Sequence, residues 1–374
     1  VQKEPFWKVI TDMTKRTPLY EEHVKLGAKI VEFAGWEMPV SYTGVIDEHK
    51  AVRSSAGIFD VSHMGQIEFA GPDAEKYLQS ITTNDLHRIH DGKAQYSILC
   101  NERGTVIDDI IIYRFSPERF MLVVNASNAS KDFDWFMKNK KGNVEVKDLS
   151  EKFALIAFQG PKSIEILKTL TDINLDSVGT YAFAEGSVAG CKNCIVAKTG
   201  YTGEEGVEIF SSPDDAPKIW RSLLENEGPE VVKAAGLGAR DTLRMEMKYS
   251  LYGHEIDDTT TPIEAGLSWA VKLDTPEDFI GKSALLDFVG QGAKRKLVGF
   301  KLLDRGIPRQ GYPILIDEKP VGIVTSGTMS PSLGYPIGIG FVPSENAKIG
   351  SEIFVDIRGQ ARKAVIVKTP FYKK

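Results

Sequence analysis

The stretch Gln66-Ile-Glu-Phe-Ala-Gly-Pro-Asp-Ala-Glu-Lys-Tyr-Leu-Gln-Ser-Ile81 reads as a short strand that reaches Gly71-Pro72 and turns into a helix. The same grammar returns at Phe153-Ala-Leu-Ile-Ala-Phe-Gln-Gly-Pro-Lys-Ser-Ile-Glu-Ile-Leu-Lys-Thr-Leu170. Pro is tolerated in the first turn of a helix because the N–H it lacks would have no partner there. After the first copy, strands are predicted over 94–100, 105–113 and 119–125, then a helix over 128–138. After the second, strands are predicted over 182–189, 194–199 and 206–210, then a helix over 213–226. The elements come in the same order, which implies two antiparallel α+β units related by element order rather than residue identity. A doubly wound parallel sheet is disfavoured, because turns such as Asn101-Glu-Arg-Gly104 join consecutive strands directly.

Outward from the repeats, the N-terminal part shows a short amphipathic helix after Arg16-Thr-Pro-Leu-Tyr20, a turn within Phe33–Pro39 and a helical Glu48–Arg53. Beyond the second repeat, residues 281–286 look helical and 290–294 read as a linker. Six short strands follow, at 297–302, 313–316, 322–325, 338–341, 353–357 and 363–367. Six such strands predict a small β-barrel or jelly roll. A chain of 374 residues exceeds one ordinary core. The expected division is residues 1–52 with 150–280 as one α+β domain, 53–149 as a second carrying the Asp109 strand, and 281–374 as a linker helix and barrel.

Hydrophobic residues at 42% and charged residues at 26% describe a soluble globular protein. No apolar run reaches bilayer length. The first dozen residues resemble neither a secretory nor a transit peptide, and Met13 is the expected natural start. Three cysteines are too few for a disulfide framework and suggest a reducing compartment. Cys191-Lys-Asn-Cys194 has metal-ligand spacing but no second Cys/His pair, so it is read as structural. Charge is unevenly spread. From Gly281 onward there are 15 Lys/Arg against 7 Asp/Glu, a balance of +8, and the rest holds 31 against 44, or −13. A basic tail of this kind suits an acidic protein or a polyanionic small molecule. Nucleic acid is disfavoured, since no dense Lys/Arg cluster or basic aromatic platform is present.

The chemistry centres on Val106-Ile-Asp-Asp-Ile-Ile-Ile-Tyr113, where two carboxylates interrupt an apolar strand. Alternation puts Asp109 on one face with Ile107, Ile111 and Tyr113, and Asp108 on the other with Val106, Ile110 and Ile112. One of the two must point inward, and a buried carboxylate is costly unless it is hydrogen-bonded, paired or used. The hairpin Thr199-Gly-Tyr-Thr-Gly-Glu-Glu-Gly206, followed by Glu208, has the glycines for close backbone approach to a ligand, and equally those of a plain turn. It lacks the lysine and spacing of a phosphate loop. Arg240 stands near a helix start, where its fork suits a carboxylate ligand or an internal Asp241 or Glu partner. His63 has no triad-like Ser or Cys neighbour and reads as a hydrogen-bonded histidine beside a cavity.

Seven motifs then carry a resemblance: Arg16-Thr-Pro-Leu-Tyr20, Phe33-Ala-Gly-Trp36, Phe59-Asp-Val-Ser-His-Met-Gly65, Ile107-Asp-Asp-Ile110, Gly200-Tyr-Thr-Gly-Glu204, Gly236-Leu-Gly-Ala-Arg-Asp241, and Thr325-Ser-Gly327 with Ser330-Pro331. In this order, from about Thr14 to Tyr372, the chain resembles the aminomethyltransferase (T-protein) family of the glycine cleavage system. The resemblance implies a three-domain cloverleaf of two ferredoxin-like α+β units and a C-terminal barrel around a central folate channel. It implies a transferase that takes the aminomethyl group from the lipoyl arm of H-protein to tetrahydrofolate, releasing ammonia and forming 5,10-methylenetetrahydrofolate. Carried over by residue, Asp109 matches the essential carboxylate, while Tyr96, Tyr113, Asn125, Tyr201, Glu208, Arg240 and Tyr372 resemble folate-contacting positions. No metal, nucleic acid or membrane is implied. The expected location is the cytoplasm of a prokaryote or the mitochondrial matrix of a eukaryote. Two relatives in fold offer alternatives. A folate-dependent demethylase domain is usually joined to a flavin-binding half that is missing here, and a folate-binding iron–sulfur assembly factor carries a Gly-Cys-Tyr run absent from this chain.

Overall fold

A computed structural model describes residues 14–374, so the expectations for the leader and for Met13 lie outside the described residues. The described residues open with β1 (Lys15–Arg16), α1 (Tyr20–Lys25), β2 (Lys29–Phe33) and β3 (Trp36–Ser41), and β3 lies between β1 and β2 in a three-stranded sheet. The turn expected within Phe33–Pro39 is a two-residue hairpin, with Ala34 at φ 52° and Gly35 at φ 82°. Two positive φ values in succession match the strand twist of a tight hairpin. Next come α2 (Val45–Ser54) and β4 (Ala56–Asp60). The sequence patterns predict no strand at 56–60, whereas all five residues of β4 are buried. An interior strand has a neighbour on each side and need not alternate polar with apolar, so its pattern hides it.

The first repeat comprises β5 (Gly65–Ala70), α3 (Ala74–Ile81), β6 (Lys93–Cys100), β7 (Val106–Ser116), β8 (Arg119–Val124), α4 (Ala129–Asn139) and β9 (Glu145–Asp148). The second comprises β10 (Ala154–Gln159), α5 (Ser163–Lys168), β11 (Phe183–Val188), β12 (Cys191–Ala197), β13 (Gly206–Ser211), α6 (Ala216–Asn226) and β14 (Val232–Ala234). Their sheets run β6-β7-β8-β5-β9 and β11-β12-β13-β10-β4-β14. In both, the first strand of the repeat ends up beside the fourth, so kinship inferred from element order extends to sheet topology. They differ at the far edge. The strand β9 pairs directly with β5, whereas β4 stands between β10 and β14.

The paired Gly-Pro steps have one cause. Gly71 and Gly160 sit at φ 135° and 132°, and a Cβ would meet Asn143 O at 2.5 Å in the first and Ser55 O at 2.4 Å in the second. Both the dihedral and the backbone contact exclude a side chain. We expect Gly160→Ala to lower unfolding free energy by more than about 2 kcal/mol, measured by chemical denaturation.

Alternation decides what each sheet shows to its helices. In the second sheet Ile58, Ile156, Phe158, Val196, Val207 and Ile209 pack with Ile166, Leu167, Ile219, Trp220 and Leu223 of α5 and α6. The opposite face carries Gln159, Glu208 and Phe210, and a cross-strand row runs Phe59, Ala157, Glu208, Ala197. In the first sheet Ile112 pairs with Leu122 and Leu122 with Ile67, while the interleaved row Ile111, Val123, Gln66 faces the other way. Asp109 belongs with that second row and Asp108 with Ile110 and Ile112.

After β14 come α7 (Leu237–Glu246) and α8 (Lys282–Gln291), and α8 ends at Gln291, inside the stretch 290–294 expected to be linker. The strands β15 (Arg295–Leu302), β16 (Pro313–Ile316), β17 (Lys319–Met329), β18 (Pro336–Pro343), β19 (Glu352–Ile357) and β20 (Gln360–Val367) close in the order β15-β18-β17-β16-β19-β20. Of the two expected forms, this is the barrel. Its interior holds Val298, Phe300 and Leu302, Ile353 and Val355, and Ala364 and Ile366, the period of two that a packed small barrel requires. By contacts the chain divides into two compact units, one of residues up to 77 with His87–Gln95 and Ile111–Asp241, the other of Leu78–Leu86, Tyr96–Ile110 and Thr242–Lys374. No helix among the described residues is long and apolar enough to cross a membrane.

Candidate active site

In the first unit the face of β13 turned away from the helices carries Glu208, half-buried. Its row neighbours are Ala157 and Ala197, both buried. Thr199 Oγ1 donates to Glu208 Oε2 at 2.5 Å, and Tyr113 OH lies 3.3 Å from the same Thr hydroxyl. Tyr113 is fully buried, edge-on to Phe183 and Phe210, and burial with the Glu208 charge holds its pKa well above the ordinary phenol value. It is a protonated post for the Thr199–Glu208 pair.

The hairpin between β12 and β13 is rigid. Gln159 Nε2 donates to Thr199 O at 3.2 Å and Val207 O at 3.1 Å, and its Oε1 accepts from Thr202 Oγ1 at 2.9 Å. A Cβ on Gly206 would come within 2.5 Å of Phe158 O, so close approach demands that glycine. Arg53 donates to Thr202 O at 2.7 Å and to Glu204 Oε1 at 2.9 Å with both side chains buried. The fixed hairpin presents Tyr201, and Arg240 of α7 lies with Cζ 4.7 Å from that ring's centroid. The Arg240 guanidinium forms no ion pair or hydrogen bond with any described residue, which answers the alternative of an internal Asp or Glu partner. Burial lowers its pKa, while the nearby Glu208 charge opposes. Its guanidinium donors therefore remain available to a ligand.

In the second unit Tyr96 OH donates to Asp109 Oδ2 at 3.0 Å. Asp109 is half-buried, whereas Asp108 has no exposed surface, so the inward carboxylate is Asp108 and the accessible one Asp109. The Tyr96 ring stacks on Trp269 at 5.1 Å and 27°, and Trp269 is 56% exposed. The result is a flat aromatic shelf beside a carboxylate. Tyr372 is tied down through its N–H to Glu246 O at 3.1 Å. The Ser330-Pro331 motif explains itself here, because Ser332 Oγ donates to Glu246 Oε2 at 2.8 Å and Ser330 Oγ to the other oxygen. Asn125, in the first unit, follows β8 and accepts the Asn128 N–H through its carbonyl at 2.9 Å.

Thus Tyr113 joins Thr199 and Glu208, Arg240 joins Tyr201, and Tyr96 joins Asp109, while Asn125 and Tyr372 stand at their own places. Sequence reading missed Thr199, Gln159, Arg53 and Trp269, whose roles are to hold or flank a named residue. Only register and contact reveal such roles. His63 departs from expectation, since Nδ1 is buried without a hydrogen-bond partner and the ring lies edge-on to Phe33. Burial, aided by the Arg240 charge and opposed by Asp60, pulls its pKa down to about 4. Cys191 and Cys194 both lie in β12 with buried thiols, and no metal-binding cluster occurs among the described residues.

Each unit of this α+β fold thus carries groups suited to polar recognition, in the second a half-buried carboxylate beside an aromatic shelf and in the first a carboxylate and an available guanidinium on rigid elements. Residues 19–275 match the family model described as the GCVT N-terminal domain, and residues 295–373 the glycine cleavage T-protein C-terminal barrel domain. The chain is 49% identical over 361 residues to an aminomethyltransferase of Desulfitobacterium hafniense, covering 96% of this chain and 98% of the other. It is 48% identical to one from Listeria monocytogenes serotype 4b, covering 98% and 99%. The crystal structure of the glycine cleavage system aminomethyltransferase T from Bartonella henselae superposes with a TM-score of 0.90 at 36% identity, covering 96% and 98%. The chain belongs to the glycine cleavage T-protein family and is a transferase.

Proposed function

We propose that the chain transfers the aminomethyl carbon from S-aminomethyl-dihydrolipoyl H-protein to tetrahydrofolate. The carbon leaves sulfur for N5 and N10 of the pterin. The lipoyl thiol is restored, ammonia departs and 5,10-methylenetetrahydrofolate forms. The observation that carries this reading is Asp109, the accessible one of two adjacent carboxylates in a largely apolar strand, hydrogen-bonded by Tyr96 at 3.0 Å. A carboxylate so placed accepts a proton from a substrate nitrogen and stabilises positive charge developing at the transferred carbon.

The second carboxylate supports binding rather than proton transfer. Glu208, bonded by Thr199, offers its remaining acceptor capacity to amino and ring N–H groups, and Arg240 supplies donors to a carbonyl or carboxylate. Tyr201, Asn125, Tyr96 and Tyr372 complete the proposed folate contacts, and Tyr113, expected among them, acts from behind through Thr199 because it is fully buried. Positioning accounts for much of the remaining acceleration, since two large substrates must meet in one geometry. The basic C-terminal region, at +8, supports an acidic carrier as partner, and three unpaired cysteines fit a reducing compartment, the cytoplasm or, in a eukaryote, the mitochondrial matrix.

The direct test supplies aminomethylated H-protein and tetrahydrofolate and follows ammonia. Turnover dependent on both supports the proposal, and binding without turnover supports a folate-binding factor instead. Within it, Glu208→Gln replaces an acceptor oxygen by a donor. The expected result in steady-state kinetics is a KM for tetrahydrofolate raised about tenfold, with kcat changed much less.

A further inference from the structure

Lys248 stands just beyond the end of α7. Its N–H reaches Met245 O at 2.9 Å, the Tyr249 N–H reaches Arg244 O at 2.9 Å, and its φ is 57°. That left-handed position closing a helix is usually glycine, because a Cβ there costs roughly 1–2 kcal/mol. A lysine gives the turn nothing that glycine would not, so the strained backbone directs attention to what the side chain does.

The Lys248 side chain is half-buried, and its ammonium makes no hydrogen bond or ion pair with any described residue. Nζ lies over the backbone of the segment before Trp269, 3.6 Å from where a Cβ on Gly266 would stand. Three residues on, Trp269 carries the shelf that stacks on Tyr96, and Tyr96 bonds Asp109. Two residues before Lys248, the Glu246 carbonyl holds the Phe371 and Tyr372 N–H groups. Burial lowers the lysine's pKa and the Glu255 charge opposes this, so the ammonium occupies a partly dehydrated place, where an anion gains more than at the surface. An unpaired, half-sunken ammonium takes a carboxylate on a slender chain, whereas side chains rooted in a folded protein surface have less reach.

We propose that Lys248 is a binding point for a carboxylate extending from a flat aromatic ligand, specifically the glutamate tail of a folate-type substrate. This rests on the folate reading above and adds to it the recognition of the tail. The experiment compares dissociation constants of tetrahydropteroate, which has no glutamate, tetrahydrofolate and its triglutamate for wild type, Lys248→Met, Lys248→Gly and Lys248→Arg.

Wild type is expected to bind tetrahydrofolate about tenfold more tightly than tetrahydropteroate. Lys248→Met and Lys248→Gly should abolish that difference while leaving tetrahydropteroate affinity unchanged, and Lys248→Arg should restore most of it. The glycine variant should also melt at a higher temperature than the methionine variant, which separates backbone strain from charge. A tail preference that persists in Lys248→Met overturns the proposal, as does equal weakening toward all three ligands. A raised KM for H-protein with the tail preference intact overturns it too, by assigning the lysine to the protein partner. Failure of wild type to bind any of the three ligands would refute the folate reading itself, and this inference with it.

Discussion

Asp109→Asn is expected to leave tetrahydrofolate affinity within a few fold of wild type while slowing ammonia release by about a hundredfold to ten-thousandfold, the range for removing a general acid or base. The amide is nearly isosteric and can still accept from Tyr96 OH, so the hydrogen bond at 3.0 Å and the aromatic shelf should survive. What disappears is the charge and the ability to hold a proton. Equilibrium binding and single-turnover kinetics on the same preparation separate the two contributions. Near-normal turnover would assign the carboxylate to the fold alone. Asp108→Asn on the same strand is the comparison, because that side chain is wholly buried on the other face and its loss should act on stability.

Arg244→Met is expected to cost about 3–5 kcal/mol of stability, the usual penalty for removing one partner of a buried ion pair. Arg244 and Glu255 meet at 2.8 Å with each side chain 1% exposed. Arg244 also donates to Ser326 Oγ at 2.8 Å and Tyr249 O at 3.1 Å, while Glu255 accepts from Thr325 Oγ1 at 2.6 Å and Leu251 N–H at 3.0 Å. These bonds join the end of α7 to β17 and account for the Thr325-Ser-Gly327 motif. Burial disfavours the Glu255 charge, but Arg244, His254 and the hydroxyls outweigh it and its pKa is lowered. A lowered carboxylate stabilises the fold fully above its unfolded value, near 4.3, and that contribution fades as pH falls through the folded value. The gap between wild type and Arg244→Met in thermal melts should therefore be widest near neutrality and narrow on acidification. A gap independent of pH would contradict the ion-pair account.

The repeated Gly-Pro step and the order of strands and helices were legible because each depends on local rules. Gly71 and Gly160 must be glycine for the φ they adopt, and a proline can follow only where its N–H is not needed. The barrel strands were legible for the same reason, through alternation. The strand β4 was not, because a strand with a partner on either side and no solvent face loses the polar beat that marks strands in sequence. The short edge elements β1, β9 and β14 carry too few residues to register any period.

For the site, alternation along one strand was enough to separate Asp109 from Asp108, and resemblance to a family was enough to mark Glu208, Tyr201 and Arg240. It could not say that Thr199 bonds Glu208, that Gln159 and Arg53 fasten the hairpin, or that Arg240 lies on Tyr201 without an ionic partner. Those facts join residues from 9 to more than a hundred positions apart, and nothing local records which of them will meet. By itself the sequence determined the elements, the repeat, the charge asymmetry and the face of each side chain, since backbone dihedrals and period-two or 3.6-residue patterns act between near neighbours. Only the tertiary structure decided which faces carry open carboxylates, which cations remain unpaired and which side chains hold others in place, because burial and pairing are properties of the packed chain.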